Sequence, residues 1–430
     1  MTTTYRNSIC NYLDKYPLLI LIIIALVPRL TIIAFPALFP QLLQFGGMGH
    51  DGYCEIAQNL VKHGIYSIDG VSPTFGRAPL FPLLLAPGAI LGYLDLCGMI
   101  LNVVLGVFAC AFIFLTGKLF GASDRKSFIL SLFLVFNPWL IWMTKNGMTY
   151  VLTTFLLSID YWLIGIIYTG NRRPFVYLIL GITTALTALS HPVHLVLIMG
   201  IGMAIAIILR RNGLQLSNIM WYIAILLFGW IIAITPWTIR NYYHTRSFFP
   251  IVQGFGYQYL LSESRIKNVL TKGTFPWEKG GEINELSGIP LVSLNIKFSV
   301  VGDEHLNKIL DTKAIEHIKT NIKDKPLYYA KHMIVNFLFL WLGDNGWGLV
   351  LLHLSYVVLL ISIVIIGIIK NRRIIEVMII MIVTVPSILV HCFMHAYITH
   401  AAYCIPLSIG LILSAIVAWN NKITNHFPNY

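Results

Sequence analysis

The strongest constraint on this chain is an alternation of apolar runs, each long enough to cross a bilayer, with short basic clusters. About 20 consecutive apolar residues span hydrocarbon as a helix, and a helix satisfies its own backbone groups there. Such runs lie near 18–35, 99–117, 127–143, 149–169, 174–190, 194–209, 217–236, 348–369, 374–393 and 401–418. Lys and Arg gather between them, at Arg6 with Lys15, Lys118-Arg125-Lys126, Arg172-Arg173, Arg210-Arg211, Lys370-Arg372-Arg373 and Lys422. Basic residues in short loops mark the cytoplasmic side. Ten spans with both termini inside put every cluster on that side. With 57% hydrophobic residues, 11% charged residues and mean hydropathy +0.76, the chain cannot be a soluble globule. The expected class is an all-α polytopic membrane protein.

The formal net charge of +12 follows from the same pattern. It implies membrane lipids as partners and no nucleic acid. The six cysteines include no C-x-x-C pair, so no zinc or redox motif is indicated. Cys54 and Cys97 fall in one compartment, and a bridge between them stays open. The start carries no cleavable signal pattern, so the first run reads as a retained span.

Two apolar segments resist the span count. Ala78 to Gly92 is short and interrupted by Pro79, Pro82 and Pro87, and counting it would invert every later basic cluster. It reads as an interfacial or dipping helix. Tyr328 to Trp341 reads the same way. The chain is therefore expected to be one membrane domain over 1–430, with a first outer loop at 36–98 and a second at 237–347. Within the second, apolar residues from Asp303 to Ile322 recur at helical spacing, and Pro326 ends that helix.

Candidate chemistry concentrates in the first outer loop. Tyr53, Ile56, Ala57, Leu60 and Val61 form the stripe of an amphipathic helix that Gly64 can terminate. Asp51 precedes it. One reading makes Asp51 a helix cap; the other makes it a general base at the membrane surface. Gly47-Met48-Gly49-His50-Asp51-Gly52 matches a dinucleotide fingerprint only by spacing, without the strand and helix that motif needs. Arg77 either snorkels to headgroups or clamps a lipid-linked phosphate. Arg29, inside the first span, and Arg240 and Arg246, after the seventh, are further cationic candidates. Lys145 is an isolated basic residue on the otherwise uncharged side. His391 and His395 lie four apart, without carboxylate or thiolate company. His50 beside Asp51 is the better metal candidate, and a divalent metal cofactor stays open.

These residues carry a resemblance. Asp51-Gly-Tyr53, Ala57-Gln58-Asn59-Leu60, Gly64-Ile-Tyr66-Ser67, Pro73-Thr74 and Arg77-Ala-Pro79-Leu80-Phe81-Pro82 resemble the first outer loop of the C-type integral-membrane glycosyltransferases. That family includes protein O-mannosyltransferase-like and aminoarabinose-transferase-like enzymes. Pro236-Trp237-Thr238-Ile239-Arg240-Asn241-Tyr242 with Phe249-Pro250-Ile251 is similar to the family's motif after the seventh span. Lys325-Pro326-Leu327-Tyr328-Tyr329 resembles its pre-span helix, and Tyr403 with Pro406 its last span.

The resemblance implies a GT-C-like bundle of about ten helices with interfacial helices in the outer loops. It implies sugar transfer, with inversion, from a polyprenyl-phosphate donor to an envelope lipid, glycan or protein on the outer face of a bacterial inner membrane. Asp51 matches the family's first-loop acid, which acts as base or orients the acceptor. Arg77 matches its phosphate-proximal position. The family's Ser-Glu, Arg-Pro and Arg-Tyr pairs are replaced here by Asn146-Gly147-Met148-Thr149, His191-Pro192 and Ala402-Tyr403. His191 and Lys145 can stand in for the lost basic positions. The expected site has Asp51 as the catalytic residue. Arg77, Arg240, Lys145 and His191 surround the donor phosphate, and Tyr53, His50, Arg29 and Tyr403 contact substrate. The alternative is a non-catalytic protein that binds or transports lipid-linked sugars.

Overall fold

The computed structural model describes residues 15–35, 52–257, 259–260, 263, 304–342, 347–394 and 404–420. His50, Asp51, His395 and Tyr403 lie outside these residues. The described residues contain helices and no strand. After α1 (Pro17–Ala34) come α2 (Tyr53–His63) and α3 (Leu80–Leu91). Then come α4 (Leu94–Leu119), α5 (Asp124–Val135), α6 (Pro138–Met143), α7 (Tyr150–Tyr168), α8 (Pro174–Ser190), α9 (Leu197–Arg211) and α10 (Leu216–Thr245). Next in the chain are α11 (Glu304–Asp324) and α12 (Pro326–Leu342). The bundle closes with α13 (Trp347–Asn371), α14 (Ile374–Met394) and α15 (Cys404–Ala418). Among the described residues, five helical stretches are long and apolar enough to cross a membrane, with shorter apolar helices beside them. This is an integral membrane protein.

α1 shows how such a helix divides its surface. Leu21, Ala25, Arg29 and Ile32 are buried, while Leu19, Ile23, Val27 and Leu30 are exposed. Spacings of three and four put each set on its own face. In lipid the apolar exposed face carries no penalty, so packing and hydrogen bonds must hold the helices together. The most extensive contact, α8 against α10, is a backbone contact. A Cβ on Gly181 would lie 2.0 Å from the Leu226 carbonyl oxygen, and one on Gly229 2.4 Å from that of Leu178.

A polar seam joins α7 to α8. Asp160 is fully buried and accepts hydrogen bonds from the hydroxyls of Thr183 (2.5 Å), Thr187 (3.0 Å) and Thr184 (3.5 Å). Two turns along α7, the Thr153 and Ser190 hydroxyls lie 2.9 Å apart. The sequence signal for Asp160 was a carboxylate inside an apolar run.

The basic clusters meet at one end of the bundle. Glu376 receives Arg211 (3.3 Å), Arg373 (3.4 Å) and the Tyr168 hydroxyl (3.3 Å). Lys126 donates to the Trp419 carbonyl (2.5 Å), and Tyr222 donates to that of Arg172 (3.1 Å).

Three expected elements differ. The run at 127–143 is two helices, α5 and α6, broken at Asn137-Pro138. Pro138 sits at N1 of α6, and the Asn137 side chain caps the Trp139 and Leu140 N–H groups at 3.1 Å each. The last four carbonyls of α5 all find donors. Leu132 and Leu134 accept from the N–H groups of Phe136 and Asn137, Phe133 from the Tyr356 hydroxyl (3.0 Å), and Val135 from Arg29 (3.4 Å). A break inside a membrane bundle needs such repayment. Next, α10 runs through Pro236 to Thr245, so the Pro-Trp-x-x-Arg-Asn motif is helical and does not follow the helix. Finally, the helix expected from Tyr328 begins two residues earlier, at Pro326, which ends α11 as expected.

Candidate functional site

The loop between α2 and α3 is a rigid construction. Gly64, at φ 68°, ends α2 with its N–H on the Leu60 carbonyl. The Asn59 amide donates to the carbonyls of Ser67 (3.1 Å) and Ile68 (2.9 Å). Asp69 accepts from the Ser67 hydroxyl (2.6 Å) and from the N–H groups of Val71 and Ser72 (2.8 Å each). The Ser67 hydroxyl, then those backbone donors, hold its carboxyl below the usual range. Tyr66 is the hub. Its hydroxyl donates to the carbonyls of Ala78 (2.9 Å) and Arg77 (3.2 Å), and its own carbonyl accepts from Thr74 N–H (2.9 Å). Burial pushes its phenol well above its ordinary pKa, so it remains a donor.

Arg77 emerges from this frame partly buried, with its guanidinium carbon 5.7 Å from the Tyr53 ring centroid. Tyr53 in turn packs edge-on against Phe81 (5.9 Å). The N-cap of α2 is Gly52, so the cap role considered for Asp51 falls one residue later.

Arg240 completes the frame from α10. Its guanidinium carbon lies 4.7 Å from the ring centroids of Trp237 and Phe75 and 5.3 Å from that of Tyr66. It donates to the Thr74 carbonyl and to Asn241 Oδ1, both at 3.1 Å. The rest of the motif holds the following segment: Trp237 Nε1 donates to the Ile251 carbonyl (2.9 Å), Thr238 to that of Pro250 (3.0 Å), and Asn241 to that of Ile251 (3.0 Å). Gln253 N–H then bonds the Phe75 carbonyl (2.9 Å). The two stretches richest in family resemblance are thus one assembly around Tyr66. Arg240→Ala is expected to loosen it by about 2–3 kcal/mol, from one charged hydrogen bond and the ring contacts. Hydrogen–deuterium exchange across 64–79 should rise, and Arg240→Lys should restore part of the protection.

The other candidates lie elsewhere. Lys145 is buried at 8% exposure in the turn between α6 and α7, where burial lowers its pKa. His191 follows α8 in extended backbone, with its ring centroid 5.7 Å from Tyr150 and 5.8 Å from His194. Arg29 is fully buried, on the carbonyls of Ala25 (2.8 Å) and Val135 and near Cys110 Sγ (3.7 Å). That places it inside the bundle. No disulfide joins Cys54, which is buried, to Cys97, which is partly buried. Among the described residues no group of three His, Cys, Asp or Glu side chains can hold a metal ion. Sequence reasoning missed the roles of Tyr66 and Trp237, and of Asn102, whose amide nitrogen donates to the Thr144 (3.2 Å) and Asn146 (3.0 Å) carbonyls in the turn before α7. A lone amide in an apolar run was the available signal for Asn102.

No protein-family model and no curated protein matches the sequence. Solved structures do match. The oligosaccharyltransferase AglB from Archaeoglobus fulgidus, in complex with an inhibitory peptide and a dolichol-phosphate, aligns with TM-score 0.54 at 13% identity, over 95% of this chain and 50% of that one. The apo form of the Archaeoglobus fulgidus oligosaccharyltransferase gives 0.52 at 13% identity, over 94% and 50%. ArnT from Cupriavidus metallidurans bound to undecaprenyl phosphate gives 0.43 at 12% identity, over 93% and 77%. The chain spans half the length of the oligosaccharyltransferase it matches. Its fold is of the GT-C type, shared with part of that enzyme.

Proposed function

We propose that this protein transfers a sugar from a polyprenyl-phosphate donor to a lipid, glycan or protein acceptor on the outer face of a bacterial inner membrane. The whole chain acts as one unit, with the outer loops at 36–98 and 237–347 carrying the site. The observation that carries this reading is the joining of the Arg77 loop to Arg240 around Tyr66, two cations fixed in one frame. The fold shared with a glycosyltransferase solved with a dolichol-phosphate supports it.

In this reading the acceptor hydroxyl attacks the anomeric carbon while the bond from that carbon to the donor phosphate oxygen breaks. Asp51 takes the hydroxyl proton. The electron pair leaves with the lipid phosphate, whose charge Arg77 stabilises, with Arg240, Lys145 and His191 as further cationic contributors. Inversion follows from a single displacement. Tyr53, His50 and Tyr403 contact substrate.

The test is transfer from a panel of polyprenyl-phosphate sugars, with membrane extract as acceptor, by the full-length protein. Arg77→Gln is expected to raise KM for the donor about tenfold, the worth of one charge-assisted hydrogen bond. A wild-type protein that consumes no donor in the panel overturns the reading in favour of a binding or transport role.

A further inference from the structure

The two sides of α11 meet different surroundings. Asn307, Leu310, Ala314 and Asn321 are buried. Leu310 and Ala314 pack with Tyr259, Leu260 and Tyr329. Asp311 accepts the Gly256 N–H (2.6 Å), and Asn321 donates to Glu263 (2.6 Å). These contacts fix the rotation of the helix. The opposite side carries Lys308, Ile315, Lys319, Ile322 and Lys323, all exposed, with Ile315 at 46% and Ile322 at 52%. Spacings of three, four and seven put them along one stripe. A single residue, Lys325, separates α11 from α12, which packs on α13 and α14 of the bundle. There Leu327 (69% exposed), Lys331 and Ile334 (59%) repeat the pattern at spacings of four and three. Isolated exposed isoleucines are ordinary. Large apolar side chains interleaved with lysines along two consecutive helices make a continuous surface.

The charge on that surface selects its occupant. Lys313 pairs with Glu316 (3.3 Å), while among the described residues Lys308, Lys319 and Lys323 have no acidic partner. The occupant must therefore be apolar against the isoleucines and anionic against the lysines. Lysine is depleted from protein–protein interfaces, and a second copy docking by this face would set lysine against lysine. A bilayer with anionic headgroups supplies both layers. Its acyl boundary receives the apolar side chains, and its phosphates meet ammonium groups whose stems lie along the same apolar surface. We propose that the exposed face of α11, continued by Leu327, Lys331 and Ile334 of α12, lies on anionic lipid headgroups of the membrane that holds the bundle. This surface is independent of sugar transfer. Docked there, α11 holds Gly256 and Glu263 at the membrane surface, and with them the 249–251 segment bonded to Trp237 and Asn241.

Hydrogen–deuterium exchange of the full-length protein in lipid nanodiscs tests this. Each lysine at an anionic surface is worth about fivefold in binding. Exchange across 304–325 is therefore expected to slow about fivefold when phosphatidylglycerol is mixed into phosphatidylcholine discs, while exchange across α7 stays the same. Salt at about 1 M, where the Debye length is about 3 Å, should erase the slowing. Combining Lys308→Gln, Lys319→Gln and Lys323→Gln keeps helix propensity nearly unchanged and should erase it too. Ile315→Gln with Ile322→Gln should speed exchange in the mixed discs by removing the apolar contact. One comparison needs no variant: a cationic lipid in place of phosphatidylglycerol should leave wild-type exchange at least as fast as in phosphatidylcholine alone. Equal exchange in anionic and neutral discs overturns the proposal, as does a slowing that survives either the salt or the lysine substitutions. Slowing that appears only with two copies per disc assigns the face to a second copy and overturns it as well.

Discussion

Gly181→Val is expected to abolish accumulation of the folded protein. The Cβ alone would stand 2.0 Å from the Leu226 carbonyl oxygen and 2.9 Å from the Trp230 nitrogen. Both atoms are backbone, so no rotamer relieves the clash and α8 must lift off α10. Overpacking a core with side chains that can yield costs about 1–3 kcal/mol, and a rigid backbone contact costs more. The largest helix interface would be lost, with no hydrophobic effect in lipid to recover it. Gly202→Ala on α9 is the control, because its Cβ would meet nothing within 4 Å. That variant should fold at wild-type yield with a slightly raised Tm. Fluorescence-detected size exclusion with melting curves reads both. A monodisperse Gly181→Val protein would show that α8 and α10 do not meet as described.

The second large effect is expected at Asp51. On the proposed reading, Asp51→Asn should slow transfer about 100- to 10,000-fold, the range for loss of a positioned general base. The substitution preserves shape and capping ability, because Asn caps helices as well as Asp does. The N-cap of α2 is Gly52 in any case, so Tm should stay unchanged. Donor KM should move little, separating this variant from Arg77→Gln. Equal transfer rates for the wild type and Asp51→Asn would remove Asp51 from the chemistry.

Much of the fold was legible because lipid simplifies the code. Apolar length sets a span and Lys/Arg sets its orientation, and neither depends on distant contacts. Helices therefore appear at all ten expected stretches, and the proline-interrupted segment forms the short helix α3. What escaped depended on partners far along the chain. Asn137-Pro138 reads as a minor interruption until Arg29 and Tyr356 arrive to satisfy the freed carbonyls. Pro236 reads as a helix end, yet α10 continues because Trp237, Thr238 and Asn241 are held by 249–251. In the candidate site, Arg77 and Arg240 were recognisable as cations on one face. Their convergence on Tyr66 was not, since no periodicity joins residues 163 positions apart. Arg29 looked equally available in sequence, and only its burial distinguishes it.

The length of α10 has a consequence for the membrane itself. Arg240 lies 24 residues beyond Leu216, about 36 Å along a helix rising 1.5 Å per residue. A hydrocarbon core of about 30 Å ends just short of that point. The Arg240 bond to Thr74 carries the Arg77 loop to the same height. On the proposed reading, with Leu216 at one hydrocarbon boundary, the cationic frame falls near the headgroup phosphates of the other. On the proposed reading, a thicker bilayer submerges this frame and a thinner one strands it in water. Acyl-chain length then modulates turnover.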